Sequence, residues 1–125
     1  MTSPSIEENG EGYFLTTTGM RWFTDHYLSG GASADDPRVS PLLDDAAVIA
    51  AAPPALVITA EFDPLRDEGE AYAARLKDAG VSVNLSRYDG MIHGFFGMAA
   101  AVDKAQQAID EASSALRTAF ADQPV

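Results

Sequence analysis

Between positions 55 and 88 the spacing of apolar residues changes period twice, and this constrains the fold more than anything else in the chain. Ala55 to Ala60, with Val57, Ile58 and Thr59, is a short continuous apolar run, the pattern of a strand covered on both faces. After Asp63-Pro64 the spacing becomes helical through Tyr72, Leu76 and Ala79 and closes at Gly80. Pro64 suits the first helical turn, where its missing N–H costs nothing. Val81, Val83 and Leu85 then alternate with Ser82, Asn84 and Ser86, so 81–88 reads as a second strand with one drier face. A last helix over about 101–120 carries Val102, Ala105, Ile109, Ala112, Leu116 and Phe120 on one stripe. Strand, helix, strand, helix predicts an α/β fold whose parallel strands are joined by a right-handed crossover helix.

The first fifty residues are less regular. Met1 to Gly12 is polar and turn-rich and reads as an irregular lead-in from which no core starts. Thr17 to Leu28 reads as a short amphipathic helix bearing Met20, Trp22, Phe23 and Tyr27, stopped by Ser29-Gly30-Gly31. Residues 32–47, with two prolines and four aspartates, read as a long surface connection. A chain of 125 residues with 46% hydrophobic content suits one domain, divided into 1–50 (lead-in, helix, connection) and 51–125 (strand-helix-strand-helix).

Charge and composition exclude several classes of function. Eight basic against nineteen acidic residues give a net charge of −11, which repels phosphate backbones and anionic lipid, so nucleic acid is not an expected partner. With no cysteine, disulfides and thiolate metal sites are excluded. The N-terminus has neither a basic nor an apolar leader region, and the longest apolar run is broken by Pro53-Pro54, so no signal peptide or membrane span is expected. Compartment stays open, with the cytoplasm as default. Asp35-Asp36 and Asp44-Asp45 lack the glycine and glutamate of a calcium loop, and no metal site is expected.

Parallel strands place the loops that follow them on one edge of the sheet. Asp63 follows the first strand and His93, in RYDGMIHGFFG, follows the second. On neighbouring strands the two side chains can meet, and a carboxylate that accepts from Nδ1 leaves Nε2 as a base for a hydroxyl nucleophile. Gly90 and Gly94 would let the backbone turn tightly around the ring. A plainer reading stands beside this one: Asp63 before Pro64 is an ordinary helix cap, and a lone histidine in an apolar loop is more often structural. His26, within WFTDHYL, reads as structural, and Asp67, Glu68 and Glu70 read as a solvated helix start.

The run ALVITAEFDPLRDEGEAYAARLKDAGVSVNLSRYDGMIHGFF resembles the C-terminal part of the α/β-hydrolase fold, in its hormone-sensitive-lipase-like carboxylesterase group. ENGEGYFLT (Glu8 to Thr16) and DPRVSPLL (Asp36 to Leu43) resemble segments of the same group. The resemblance implies an incomplete hydrolase sheet, a serine esterase acting on small acyl esters without a cofactor, Asp63 as triad acid and His93 as triad base. Such enzymes also use a G-x-S-x-G nucleophile elbow and an HGGG-type oxyanion loop. The 125 residues contain neither motif. GASAD at 31–35 departs from the elbow at Asp35 and follows no strand, so Ser33 reads as a loop serine.

The chain is therefore expected to be the C-terminal portion of a longer esterase, marginally stable and inactive alone, with apolar surface that favours self-association or a complementary N-terminal hydrolase chain. An inactive interaction module is the alternative. A flavodoxin-like binding domain fits less well, because no phosphate-cradling glycine loop follows a strand. Met91, Phe95, Phe96, Trp22 and Phe23 are candidates for a substrate pocket wall, with a plain core role ahead of it.

Overall fold

A computed structural model of the chain describes residues 3–121. Its first helix, α1 (Pro4–Asn9), is followed by α2 (Thr17–Tyr27), a 3₁₀ turn (Pro41–Leu43) and the short α3 (Ala46–Ala50). Then come β1 (Ala55–Phe62), α4 (Arg66–Asp78), β2 (Val83–Ile92), a second 3₁₀ turn (Phe95–Gly97) and α5 (Asp103–Ala121). The two strands are parallel, in register from Ala55 opposite Val83 to Ala60 opposite Tyr88. Periodicity thus located both strands and the crossover helix, although β1 runs two residues beyond the apolar run and β2 four beyond Tyr88.

Alternation along β1 distributes the two long helices to opposite faces of the sheet. Ile58 and Ala60 pack with Phe95, Ala105 and Ala108, so α5 covers that face. Ala55 and Val83 pack with Ile49, Leu76 and Val81 on the face that α4 covers. Gly69 lets α4 lie close to the sheet, since a Cβ there would come within 3.3 Å of the Thr59 methyl. The expectation that β1 is dry on both faces holds only near its end: Thr59 and Ala60 are buried and the rest is half-buried. On α5 the predicted stripe is covered at Ala105 but leaves Leu116 and Phe120 exposed.

The stretch read from sequence as 1–12 is corrected over its described residues, 3–12, residues 1 and 2 lying outside them. Where an irregular lead-in was expected, α1 forms with a proline in its first turn and buries Ser5, Ile6 and Asn9. Ser5 is fully buried: its hydroxyl donates to the Pro64 carbonyl (2.8 Å) and accepts the Asp67 N–H (3.2 Å), while its own N–H donates to Asp67 Oδ2 (2.8 Å). Asp67 lies in the first turn of α4, whose N–H groups lack intrahelical acceptors, and α4 has no side-chain cap of its own. Ser5 therefore caps α4 from a distant part of the chain. Trp22 and Phe23, proposed as core or wall, are 56% and 60% exposed, and only Met20 of α2 is buried.

Candidate active site

The last register pair of the sheet sets Phe62 of β1 opposite Ile92 of β2. The residues that follow them are Asp63 and His93, which leave the same edge of the sheet side by side. His93 Nδ1 lies 2.9 Å from Asp63 Oδ2, with side chains 35% and 14% exposed. The other oxygen, Oδ1, accepts the Leu65 N–H at 2.8 Å, and the Asp63 carbonyl accepts the Arg66 N–H at 3.0 Å. Turn formation and the imidazole contact, which compete in a reading of residue types, coexist because each uses a different oxygen. An ionised carboxylate only accepts hydrogen bonds, so with Asp63 ionised the proton of this bond belongs to Nδ1, the arrangement in which an Nε2 lone pair can accept a proton.

The local chain explains how the ring is delivered. After His93 the backbone enters the left-handed region at Gly94 (φ +77°), a conformation in which a β-carbon is strained, and folds into the turn that buries Phe95. Phe95 lies against Tyr88 with ring centroids 5.2 Å apart, anchoring the loop to the core below. Tyr88 donates to Glu111 Oε2 on α5 (2.7 Å) and Ser86 donates to Oε1 (2.5 Å). Burial, reinforced by the Glu111 carboxylate, pushes the Tyr88 phenol up to about 12.

Aromatic residues outside the sequence-derived candidates border the pair. Tyr13 stacks on Phe62 (4.9 Å, 11°), next to Asp63, and Phe14 lies over Gly94, 3.4 Å from where a Cβ would stand. Phe14 is the non-glycine residue with positive φ (66°) in this segment and is 72% exposed, a strained aromatic at the rim. Of the five aromatic or thioether candidates named from sequence, Phe95 is core and Met91 packs against it, while Phe96, Trp22 and Phe23 are exposed. The cleft of about 490 Å³ near Val39, Leu43, Glu68 and Tyr72 is lined by neither Asp63 nor His93, so the chemistry is argued from the pair itself.

The acidic start of α4 is also corrected. Instead of a solvated face, Asp67 accepts from Ser5 and from Arg66 Nε (2.9 Å), and Arg66 reaches Glu8 (2.9 Å) and the Glu61 carbonyl (2.9 Å). Burial alone would raise the Asp67 carboxyl, but the Ser5 N–H and the Arg66 guanidinium outweigh it and hold it below the ordinary 3.8. Glu70 accepts from Thr59 (3.2 Å) and faces Arg87 (3.5 Å). His26 Nδ1 meets the Trp22 carbonyl at 2.7 Å within α2, the structural role expected of it. Ser33 is an exposed loop residue whose Oγ accepts the Asp35 N–H. Among the described residues no cluster of three or more His, Cys, Asp and Glu side chains is arranged to hold a metal, and no helix is long and apolar enough to cross a membrane.

A parallel pair with a helix on each face, and a carboxylate bonded to an imidazole at its carboxyl edge, is the arrangement of an α/β hydrolase. Residues 1–97 match the family described as the alpha/beta hydrolase fold. Ethyl acetate hydrolase of Pseudomonas putida is 41% identical over 106 residues, covering 85% of this chain and 33% of that protein. Among solved structures, the thermostable carboxylesterase EstE1 from a metagenomic library superposes with a TM-score of 0.89 at 41% identity, covering 98% of this chain and 40% of that one. The hyperthermophilic esterase of Pyrobaculum calidifontis gives 0.87 at 38% identity, covering 94% and 38%. The chain belongs to the α/β-hydrolase fold family, in its hormone-sensitive-lipase-like carboxylesterase group. It spans well under half the length of these relatives.

Proposed function

We propose that these residues form the acid-base half of a serine carboxylesterase acting on small acyl esters. The observation that carries the reading is the 2.9 Å contact between His93 Nδ1 and Asp63 Oδ2 at the carboxyl edge of a parallel pair. Asp63 holds the imidazole in the Nδ1–H tautomer. A serine hydroxyl from polypeptide outside the 125 residues loses its proton to His93 Nε2 as its oxygen bonds to the ester carbonyl carbon. Asp63 stays ionised and supports the imidazolium. The imidazolium then returns the proton to the departing alkoxide, leaving an acyl-serine, and water repeats the cycle in the second half-reaction.

Support for an outside nucleophile comes from the sequence, which has no G-x-S-x-G elbow and no HGGG loop, and from the apolar surface at Trp22, Phe23, Leu116 and Phe120. A complementary N-terminal hydrolase chain covers such surface and extends the two-stranded sheet. Without it, copies of this chain self-associate through the same groups.

Mixing the chain with an N-terminal hydrolase segment that carries both motifs tests the reading, with hydrolysis of p-nitrophenyl acetate as readout. Neither part is active alone, the mixture is active, and His93→Ala removes the activity. A mixture whose turnover survives His93→Ala overturns the role of His93 as base, and a complex that forms but never hydrolyses overturns the reading in favour of an inactive interaction module.

A further inference from the structure

Just before His93, β2 departs from regular pairing: Ala60 faces Tyr88 and Phe62 faces Ile92, so between these pairs one residue of β1, Glu61, stands against three of β2, Asp89, Gly90 and Met91. Such a bulge re-aims the strand that carries it, and here it decides where His93 emerges. At its apex is the peptide group joining Asp89 to Gly90, with Gly90 at φ +81°. That one peptide is gripped at both ends by opposite charges. The Glu61 carboxylate accepts the Gly90 N–H through Oε2 (2.6 Å), and the Lys104 ammonium donates to the Asp89 carbonyl. Glu61 comes from β1 and Lys104 from α5, so the clamp ties the bulge to an element on each side of it. The anion meets the positive end of the peptide dipole and the cation its negative end, which makes both hydrogen bonds charge-assisted.

Glu61, on β1, stands two positions before Asp63, which follows that strand, and the Arg66 guanidinium holds the Glu61 carbonyl at 2.9 Å. The end of β1 therefore touches the His93 segment at two points, with Glu61 on the Gly90 amide and Asp63 on the ring. We infer that Glu61 and Lys104 are positioning residues, which clamp the Asp89-Gly90 peptide and so set the distance between His93 and Asp63. The inference rests on the acid-base reading of that pair, and neither residue touches substrate.

The test uses the chain completed by the elbow-bearing segment. Glu61→Ala lowers kcat about tenfold or more with KM little changed, as expected for a shift in the base and not in binding. Glu61→Gln keeps an acceptor for the Gly90 N–H and recovers most of the loss. Lys104→Met, at an exposed position, moves kcat the same way and serves where Glu61→Ala does not fold. Nitrogen-15 spectra of the imidazoles, with His26→Gln for assignment, show the Nδ1–H tautomer of His93 in the parent and a tautomer mixture in Glu61→Ala. Parent-like kcat and tautomer in Glu61→Ala or Lys104→Met, or a Glu61→Gln variant no better than Glu61→Ala, overturn the clamp. The spectra need no substrate, so an inactive completed parent overturns the esterase reading while the ring nitrogens still decide the clamp.

Discussion

Replacing Ser5 by alanine removes one oxygen atom from a fully buried position and tests whether α1 is an integral part of the fold. The side-chain volume barely changes, so no cavity term arises, and the Ser5 N–H can still reach Asp67 Oδ2. Two buried interactions are lost, the donation to the Pro64 carbonyl at 2.8 Å and the acceptance of the Asp67 N–H at 3.2 Å, together with a contact at 3.3 Å to the half-buried Ser3 hydroxyl, which water can replace. The second is a helix cap, worth about 1 kcal/mol, and the first a buried neutral hydrogen bond worth about the same, so Ser5→Ala should cost about 2 kcal/mol. With a urea dependence of about 2 kcal/mol/M, the unfolding midpoint falls by about 1 M. Far-ultraviolet circular dichroism in urea measures it, with Ser33→Ala, in an exposed loop, as a control that stays within about 0.5 kcal/mol. Coincident midpoints for Ser5→Ala and the parent would refute the capping argument and return 1–12 to the status of a lead-in.

Asp67 has its carboxyl held below the ordinary 3.8, so its contribution is complete above that value and disappears as pH falls through the lower folded one. Acid unfolding followed by dichroism should accordingly be shallower in Asp67→Asn than in the parent, and equal slopes would contradict this. For Tyr88 the folded pKa is about 12 against an ordinary 10.0, so the unfolded state releases its proton first and stability falls with rising pH between those values. Phenolate absorbance should contain a step near pH 12, and Tyr88→Phe should remove it. In the completed enzyme, Asp63→Asn should lower kcat by about 10⁴-fold, the scale expected when a catalytic imidazole is held in the wrong tautomer. A loss under about tenfold in steady-state ester hydrolysis would show that Asp63 serves only the turn at Leu65.

Much of the fold was legible because period and position along a strand are local properties. Val57, Ile58, Val83 and Leu85 marked the strands, and the Asp63-Pro64 step marked the crossover. With both strands parallel, the placement of Asp63 and His93 on one edge followed from topology, which is why two residues 30 apart could be paired from sequence. Tyr13 and Phe14 were missed because nothing in their own neighbourhood reports that they fold back over Phe62 and Gly94. Trp22 and Phe23 misled for the opposite reason: helical spacing shows which face of α2 is apolar, and not whether anything lies against it.

By itself the sequence determined the α/β alternation, the parallel pair, the edge that carries Asp63 and His93, and the absence of a nucleophile elbow from these residues. Tertiary structure alone decided that Ser5 caps α4, that Asp67 and Glu70 are bound and not solvated, and that Asp63 divides its two oxygens between a turn and an imidazole. It also decided that Glu61 and Lys104 grip one peptide. The physical reason is range: apolar periodicity arises from the helix and strand geometry of neighbouring residues, whereas a polar group takes whichever partner the packed chain brings within about 3 Å.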